Sequence, residues 1–284
     1  MNVLDLLKHG KQGEAEAFVG KYLTLFEDNQ RIVFLEAALK RSRFDVRAST
    51  PVFKKVIALN QSNLLGRFSR HILYLDYRKD TDKHFKAMKE IVEGNPDDIM
   101  LRWMLAVQCR SYNKNHEGIK HYKIILQNWN PGPSLVQQTF ANLLDAAFHF
   151  EESLIHRRIA VKLEPKAWSY QGLGNTLASM GEFDEALLAY EKSVELSPSG
   201  SKYWSSWAWG LIKVNKIDEA IPKLERAISL DGRNADALEL YGWILAKQGK
   251  PLQALEKYQA AYYIKPLNSS LKDKISKLEA KGAE

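Results

Sequence analysis

A spacing of 34 residues recurs through the last third of the chain and restricts what it can fold into. Ala186, Ala220 and Ala254 keep this step, as do Gly174, Ala208 and Gly242. Tyr190, Leu224 and Tyr258 follow it, and so do Pro198, Gly232 and Pro266. Three blocks result: 167–200, 201–234 and 235–268. In the first, Tyr170, Leu173, Gly174 and Leu177 recur at helical spacing, and Phe183, Ala186, Leu187, Tyr190 and Val194 do so again. A turn residue (Gly181, Asn215 or Gly249) separates the two stretches, and proline or glycine closes each block, where a helix must stop. The unit is therefore a helix–turn–helix pair without a strand. The small side chains let paired helices approach closely, while large ones a turn away fill the gaps.

Residues 167–200, AWSYQGLGNTLASMGEFDEALLAYEKSVELSPSG, resemble a tetratricopeptide repeat almost throughout, and two further copies follow in register. The resemblance implies an all-α fold, a right-handed α-solenoid or superhelix of antiparallel helix pairs. Upstream the pattern weakens but continues. Block 134–166 ends at Pro165, block 99–132 keeps Ala106, Gly118 and Tyr122, and block 65–98 keeps Phe68, Met88 and Pro96. Residues 30–64, with Ala37, Phe53 and Leu59, form a degenerate copy. These blocks give about seven repeats. Four regions are expected: a helical half-repeat at 1–29, degenerate basic repeats at 30–133, full repeats at 134–268, and a capping helix at 269–284. Leu271, Ile275 and Leu278 give that last helix a single apolar stripe, suited to closing the end of a stack. The breaker-rich segment 128–134 reads as a long inter-repeat loop or as a joint between two halves; helical patterns on both sides favour the loop.

The composition excludes several classes. Of 284 residues, 45% are hydrophobic and 26% charged, as in a folded globular chain rather than a disordered or collagen-like one. The lone Cys109 can form neither an internal disulfide nor a cysteine-based zinc site, so a reducing cytoplasm is the expected compartment. Asp5, Lys8, Lys11, Glu14 and Glu16 interrupt the opening residues, which lack the apolar core of a secretory leader. No run of 18 apolar residues is long enough to span a membrane.

Catalytic patterns are absent. Gly172-Leu173-Gly174 mimics the start of a dinucleotide fingerprint but lacks the third glycine and a preceding strand. His149 and His156, or His71 and His84, can share a face, yet neither pair has a placed third metal ligand. The acid pairs Glu151-Glu152 and Asp184-Glu185 fall at helix starts, where they oppose the helix dipole. Cys109 occupies an apolar first-helix position and reads as a buried thiol. No catalytic residue, cofactor or metal is therefore expected.

Charge is uneven. Arg31 to Lys89 holds 14 basic and 5 acidic residues, 14 − 5 = +9, against +7 for the whole chain. Arg67, Arg70, Arg78 and Lys79 form the expected basic patch. It suits an acidic protein segment; nucleic acid is the poorer fit, because interleaved aromatics that would stack bases are few.

The first helices carry a second stripe, one turn from the packing stripe, that should line a concave groove. It comprises Trp103, Arg110, Gln138, Asn142, Gln171, Asn175, Lys202, Trp209, Lys213 and Trp243, with Asp145, Asp236, Glu239 and Lys247 beside them. Side-chain amides can bond an extended backbone and indoles can anchor apolar side chains. Some tetratricopeptide domains hold a chaperone C-terminus with a clamp of Lys, Asn, Asn, Lys and Arg. The matching register here reads Gln138, Asn142, Gly172, Lys202 and Ser206, so only Asn142 and Lys202 agree. The asparagine ladder of the protein O-glycosyltransferase superhelix is also missing, since Thr139, Gly172, Ser206 and Leu240 stand in its place. The sequence thus points to a non-catalytic scaffold or adaptor that binds an extended protein segment. A basic helical-repeat protein that binds RNA is the second reading, and a repeat subunit that escorts an enzyme is the third.

Overall fold

The computed structural model describes residues 3–9, 11–25, 28–42, 45–76 and 80–282, and the described residues are helical with no strand. They divide into two compact units, Met1–Glu164 and Pro165–Glu284. That division falls inside block 134–268, after its first helix pair, and not at the breaker-rich 128–134 segment.

The first unit contains α1 (Val3–Lys8), α2 (Gln12–Leu25), α3 (Gln30–Ser42), α4 (Val46–Leu59) and α5 (Leu64–Asp76). It continues with α6 (Thr81–Glu93), α7 (Ile99–Ser111), α8 (Asn115–Asn128), α9 (Ser134–Ala146) and α10 (Phe150–Leu163). The second unit contains α11 (Ala167–Met180), α12 (Phe183–Leu196), α13 (Ser201–Lys213) and α14 (Ile217–Leu230). It ends with α15 (Ala235–Lys247), α16 (Pro251–Ile264) and α17 (Ser269–Gly282). Within each unit every odd-numbered helix packs on its successor, and second helices pack on the first helix of the next pair. The pairs from α3 to α16 are the seven read from the sequence. Ahead of them, the short α1 packs on α2, where only the second helix was expected.

Local chemistry sets the boundaries. Asp45, Asp98 and Asn234 accept hydrogen bonds from the backbone N–H groups of Ala48, Leu101 and Ala237, capping α4, α7 and α15. Among the described residues, the turn inside a pair places one residue in the left-handed region: Asp80, Asn113, Phe148, Gly181, Asn215 or Gly249.

Packing in the second unit depends on glycines facing tyrosines. The Tyr190 ring is fully buried between α11 and α13. A Cβ at Gly174 would lie 2.7 Å from its Cε1, and one at Gly210 would lie 2.9 Å from its Cε2. Tyr258 meets Gly242 of α15 in the same way. In the first unit, Trp103, Tyr122, Phe53, Phe68 and Phe140 are the largest fully buried side chains of a continuous apolar core.

This packing makes two properties testable. Ala208 has no exposed surface, so Ala208→Leu should destabilise the second unit by about 1–3 kcal/mol in thermal melts. Gly20→Ala, where an added methyl meets nothing within 4 Å, should not destabilise the first. The other property is the response to acid. All seven histidines precede Pro165. His71, His121 and His156 bind protons more weakly than the ordinary 6.5, mainly through burial; His84, Arg70 and Arg67 add to the effect at His71, and Arg102 at His121. The folded unit holds these rings neutral. The stability they contribute is present above 6.5 and is lost as pH falls toward their lower folded values. Between about pH 7.5 and about pH 5.5, amide hydrogen exchange should show protection falling in the first unit relative to the second.

Candidate functional site

One cavity of about 660 Å³ opens on the face made by α11, α13, α15 and α17. Gln171 and Asn175 enter it from α11; Lys202, Trp209 and Lys213 from α13; and Trp243 from α15. The structure thus brings together six of the ten residues that the sequence assigns to a groove. Ser205, Ser206, Ile212, Asp236, Glu239, Leu240 and Lys274 complete the lining.

The amides are held in defined orientations. Tyr190 donates its hydroxyl proton to Asn175 Oδ1 at 2.9 Å, leaving the Asn175 NH2 group for another acceptor. Gln171 Nε2 donates to Ser206 Oγ at 2.7 Å, leaving Gln171 Oε1 for a donor. These two side chains are one helical turn apart on α11 and together offer one donor and one acceptor to a passing backbone.

The charges are partly matched. Lys265 and Lys274 take up the two acids of the cavity, Asp236 and Glu239 respectively. Lys202 lies 4.9 Å from the centre of the Tyr203 ring, and partial burial lowers its proton affinity. The Lys213 ammonium stands 5.3 Å from the centre of the Trp209 ring, and that of Lys247 5.7 Å from Trp243. Trp209 and Trp243 are both half-buried. Trp243 also packs against two apolar clusters of the unit, so it contributes to packing as well as to the cavity.

The remaining groove candidates lie in the first unit, and two need correction. Trp103 is fully buried, edge-on to Trp129 with ring centres 6.5 Å apart. The physical reason is visible in α7, where every residue from Met100 to Cys109 is buried. The helix touches α3 as well as α6, α8 and α9, so no stripe is left open. Its sequence, IMLRWMLAVQC, is apolar on most sides, the signature of a helix buried all round. Gln138 is likewise buried, on an α9 enclosed from Ser134 to Ala141. Asn142 is engaged, since its Oδ1 accepts from the buried Arg157 at 2.7 Å. Arg157 also pairs with Asp145 at 2.7 Å. Arg110 keeps exposed surface, while partial burial of its guanidinium lowers its proton affinity against the opposing pull of the Asp145 charge.

In the basic segment Arg67 is exposed, and Arg70 donates to the Gln61 carbonyl oxygen at 2.8 Å. Arg78 and Lys79 lie outside the described residues. His71 and His84 do meet, with Nδ1 atoms 3.0 Å apart, so one ring donates to the other. Cys109 is buried, and burial pushes its thiol up to about 12, which leaves no thiolate for chemistry near neutrality. Among the described residues no helix is long and apolar enough to cross a membrane.

Sequence reading missed Lys274, although the signal was present. Ser206, Leu240 and Lys274 are 34 apart, and α13, α15 and α17 begin at Ser201, Ala235 and Ser269, again 34 apart. Thus α17 occupies the first-helix position of the period, and through Lys274 it supplies a wall of the cavity.

Family models described as tetratricopeptide repeat match residues 167–199 and 206–269. A solved tetratricopeptide repeat protein from Parabacteroides merdae is 13% identical, with 88% of this chain and 98% of that one covered at a TM-score of 0.66. A thermophilic TPR protein from Thermus thermophilus is 14% identical, with 64% and 99% covered at 0.57. At these identities the likeness is one of fold. No curated protein sequence matches the chain.

Removing each indole should separate packing from surface. Trp243→Ala should lower stability by roughly 2 kcal/mol, about half the cost of deleting a fully buried tryptophan. Trp209→Ala should lower it by less. Chemical denaturation of both variants measures the difference.

Proposed function

This chain carries tetratricopeptide repeats over residues 167–199 and 206–269, and from that premise we propose that it is a non-catalytic scaffold binding an extended protein segment along the first helices of its second unit. One observation carries the reading: Gln171, Asn175, Lys202, Trp209, Lys213 and Trp243 converge on a single cavity. Residues brought together for packing alone would bury their polar groups against one another. Here Asn175 is exposed, and its NH2 group and Gln171 Oε1 are left over after the internal hydrogen bonds are made.

The chemistry fits a peptide. An extended residue presents its N–H and C=O on the same side, so Gln171 and Asn175 can engage one such residue from adjacent helical turns. The indoles offer apolar surface with a polar edge, the kind of anchor that dominates binding energy in protein interfaces. A cavity of this size accommodates one or two large side chains. The lysines favour an acidic partner.

Affinity capture with wild-type chain and with Trp209→Ala, followed by titration of the captured protein, tests the reading. Trp209→Ala should weaken binding by about 2 kcal/mol or more while retaining helix content. A folded variant that binds like wild type would remove the cavity from the binding surface.

A further inference from the structure

The second unit repeats one arrangement. Trp209 and Lys213 stand a turn apart on α13, with the ammonium over the indole, and Trp243 and Lys247 do the same on α15. The two pairs are separated by one repeat of 34 residues. Neither lysine has an acidic partner among the described residues, whereas Asp236 and Glu239, which line the cavity with Lys213, are paired with Lys265 and Lys274. Two positive charges are therefore left over, each mounted on an aromatic face at the same position of successive repeats.

The spacing limits what can satisfy both charges at once. Helices α13 and α15 approach within 8 Å between Cα atoms, so equivalent side chains on them lie roughly 8–10 Å apart. A chain in the extended polyproline II conformation advances about 3.1 Å per residue with three residues per turn, so side chains about three residues apart point the same way and span this gap. Resting on the groove reading above, we infer that the partner is an extended segment with two carboxylate side chains about three residues apart, each flanked by an apolar residue. One carboxylate meets Lys213 beside Trp209, and the other meets Lys247 beside Trp243. The apolar neighbours lie against the indoles, and the desolvated edge of each ring strengthens the adjacent ion pair.

Labelled peptides and the full chain test this by fluorescence anisotropy. The first peptide is Gly-Phe-Asp-Ser-Phe-Asp-Ser-Gly, with acids three apart. The second replaces both acids with asparagine. The third, Gly-Phe-Ser-Asp-Asp-Phe-Ser-Gly, keeps the composition but makes the acids adjacent. The first should bind about tenfold or more tighter than either of the others, with the advantage shrinking as salt rises. In the Lys213→Glu, Lys247→Glu double variant the preference should reverse toward the peptide carrying lysine in place of both acids. Melting curves confirm that this variant folds.

The outcomes separate the two readings. If the asparagine peptide binds as well as the acidic one, and both are lost with Trp209→Ala, the groove stands and the paired-carboxylate inference falls. Equal binding of the two acidic peptides overturns the spacing. Binding that survives Trp209→Ala unchanged overturns the groove itself. Displacement of the acidic peptide by a ten-nucleotide uridine RNA at equal concentration assigns the lysines to phosphate instead and overturns the inference. Failure of every peptide to bind also overturns it.

Discussion

The Tyr190 ring, wedged between Gly174 of α11 and Gly210 of α13, is the contact on which the second unit depends. It fixes the approach of three helices, since a methyl group on either glycine would intrude to less than 3 Å. The same side chain reaches the cavity, because its hydroxyl donates to Asn175 and thereby orients the amide. Packing and presentation are thus one act. The buried phenol binds its proton more tightly than usual, so it remains a donor throughout the physiological range and Asn175 keeps one orientation.

The two units show how the same helix-pair pattern leads to different surfaces. In the second, first helices touch their neighbours along one stripe and leave the next stripe open, which exposes Asn175 and leaves Trp209 half-open. In the first, α7 is covered by α3 as well as by its sequence neighbours, and a stripe that would line a groove becomes core. Arg157 illustrates the consequence. Its guanidinium is nearly inaccessible, and Asn142 and Asp145 are drawn into stabilising it, because a buried charge without a partner is strongly unfavourable. Asn142 therefore serves an internal ion pair, whereas Asn175 one repeat later keeps its donor free.

Legibility in the sequence followed this division. Where the 34-residue period was strict, helix limits and the convergence of Gln171, Asn175, Lys202, Trp209, Lys213 and Trp243 were readable, since a fixed period places equivalent side chains on equivalent faces. Trp103 was misplaced because local spacing reports which residues share a helix face, not which distant helix covers that face. The composition of α7, apolar on nearly all sides, was the better guide. Lys274 is legible only when the period is carried forward from Leu240, because the apolar stripe of α17 by itself reports no more than a covering helix.

That extension of the period changes the role of the last helix. A helix placed only to cover apolar surface would need Leu271, Ile275 and Leu278 and nothing more specific. Instead Lys274 crosses to Glu239 on α15 and lies 5.6 Å from the centre of the Tyr258 ring, so a charged side chain of α17 is tied to the first-helix face. The pairing removes the negative charge of Glu239 from the cavity while Lys265 removes that of Asp236. Without α17, Glu239 would lose its lysine partner and leave a carboxylate in the lining beside Trp243. The last helix therefore offsets negative charge in the cavity as well as bounding it, which a purely apolar cap would not do.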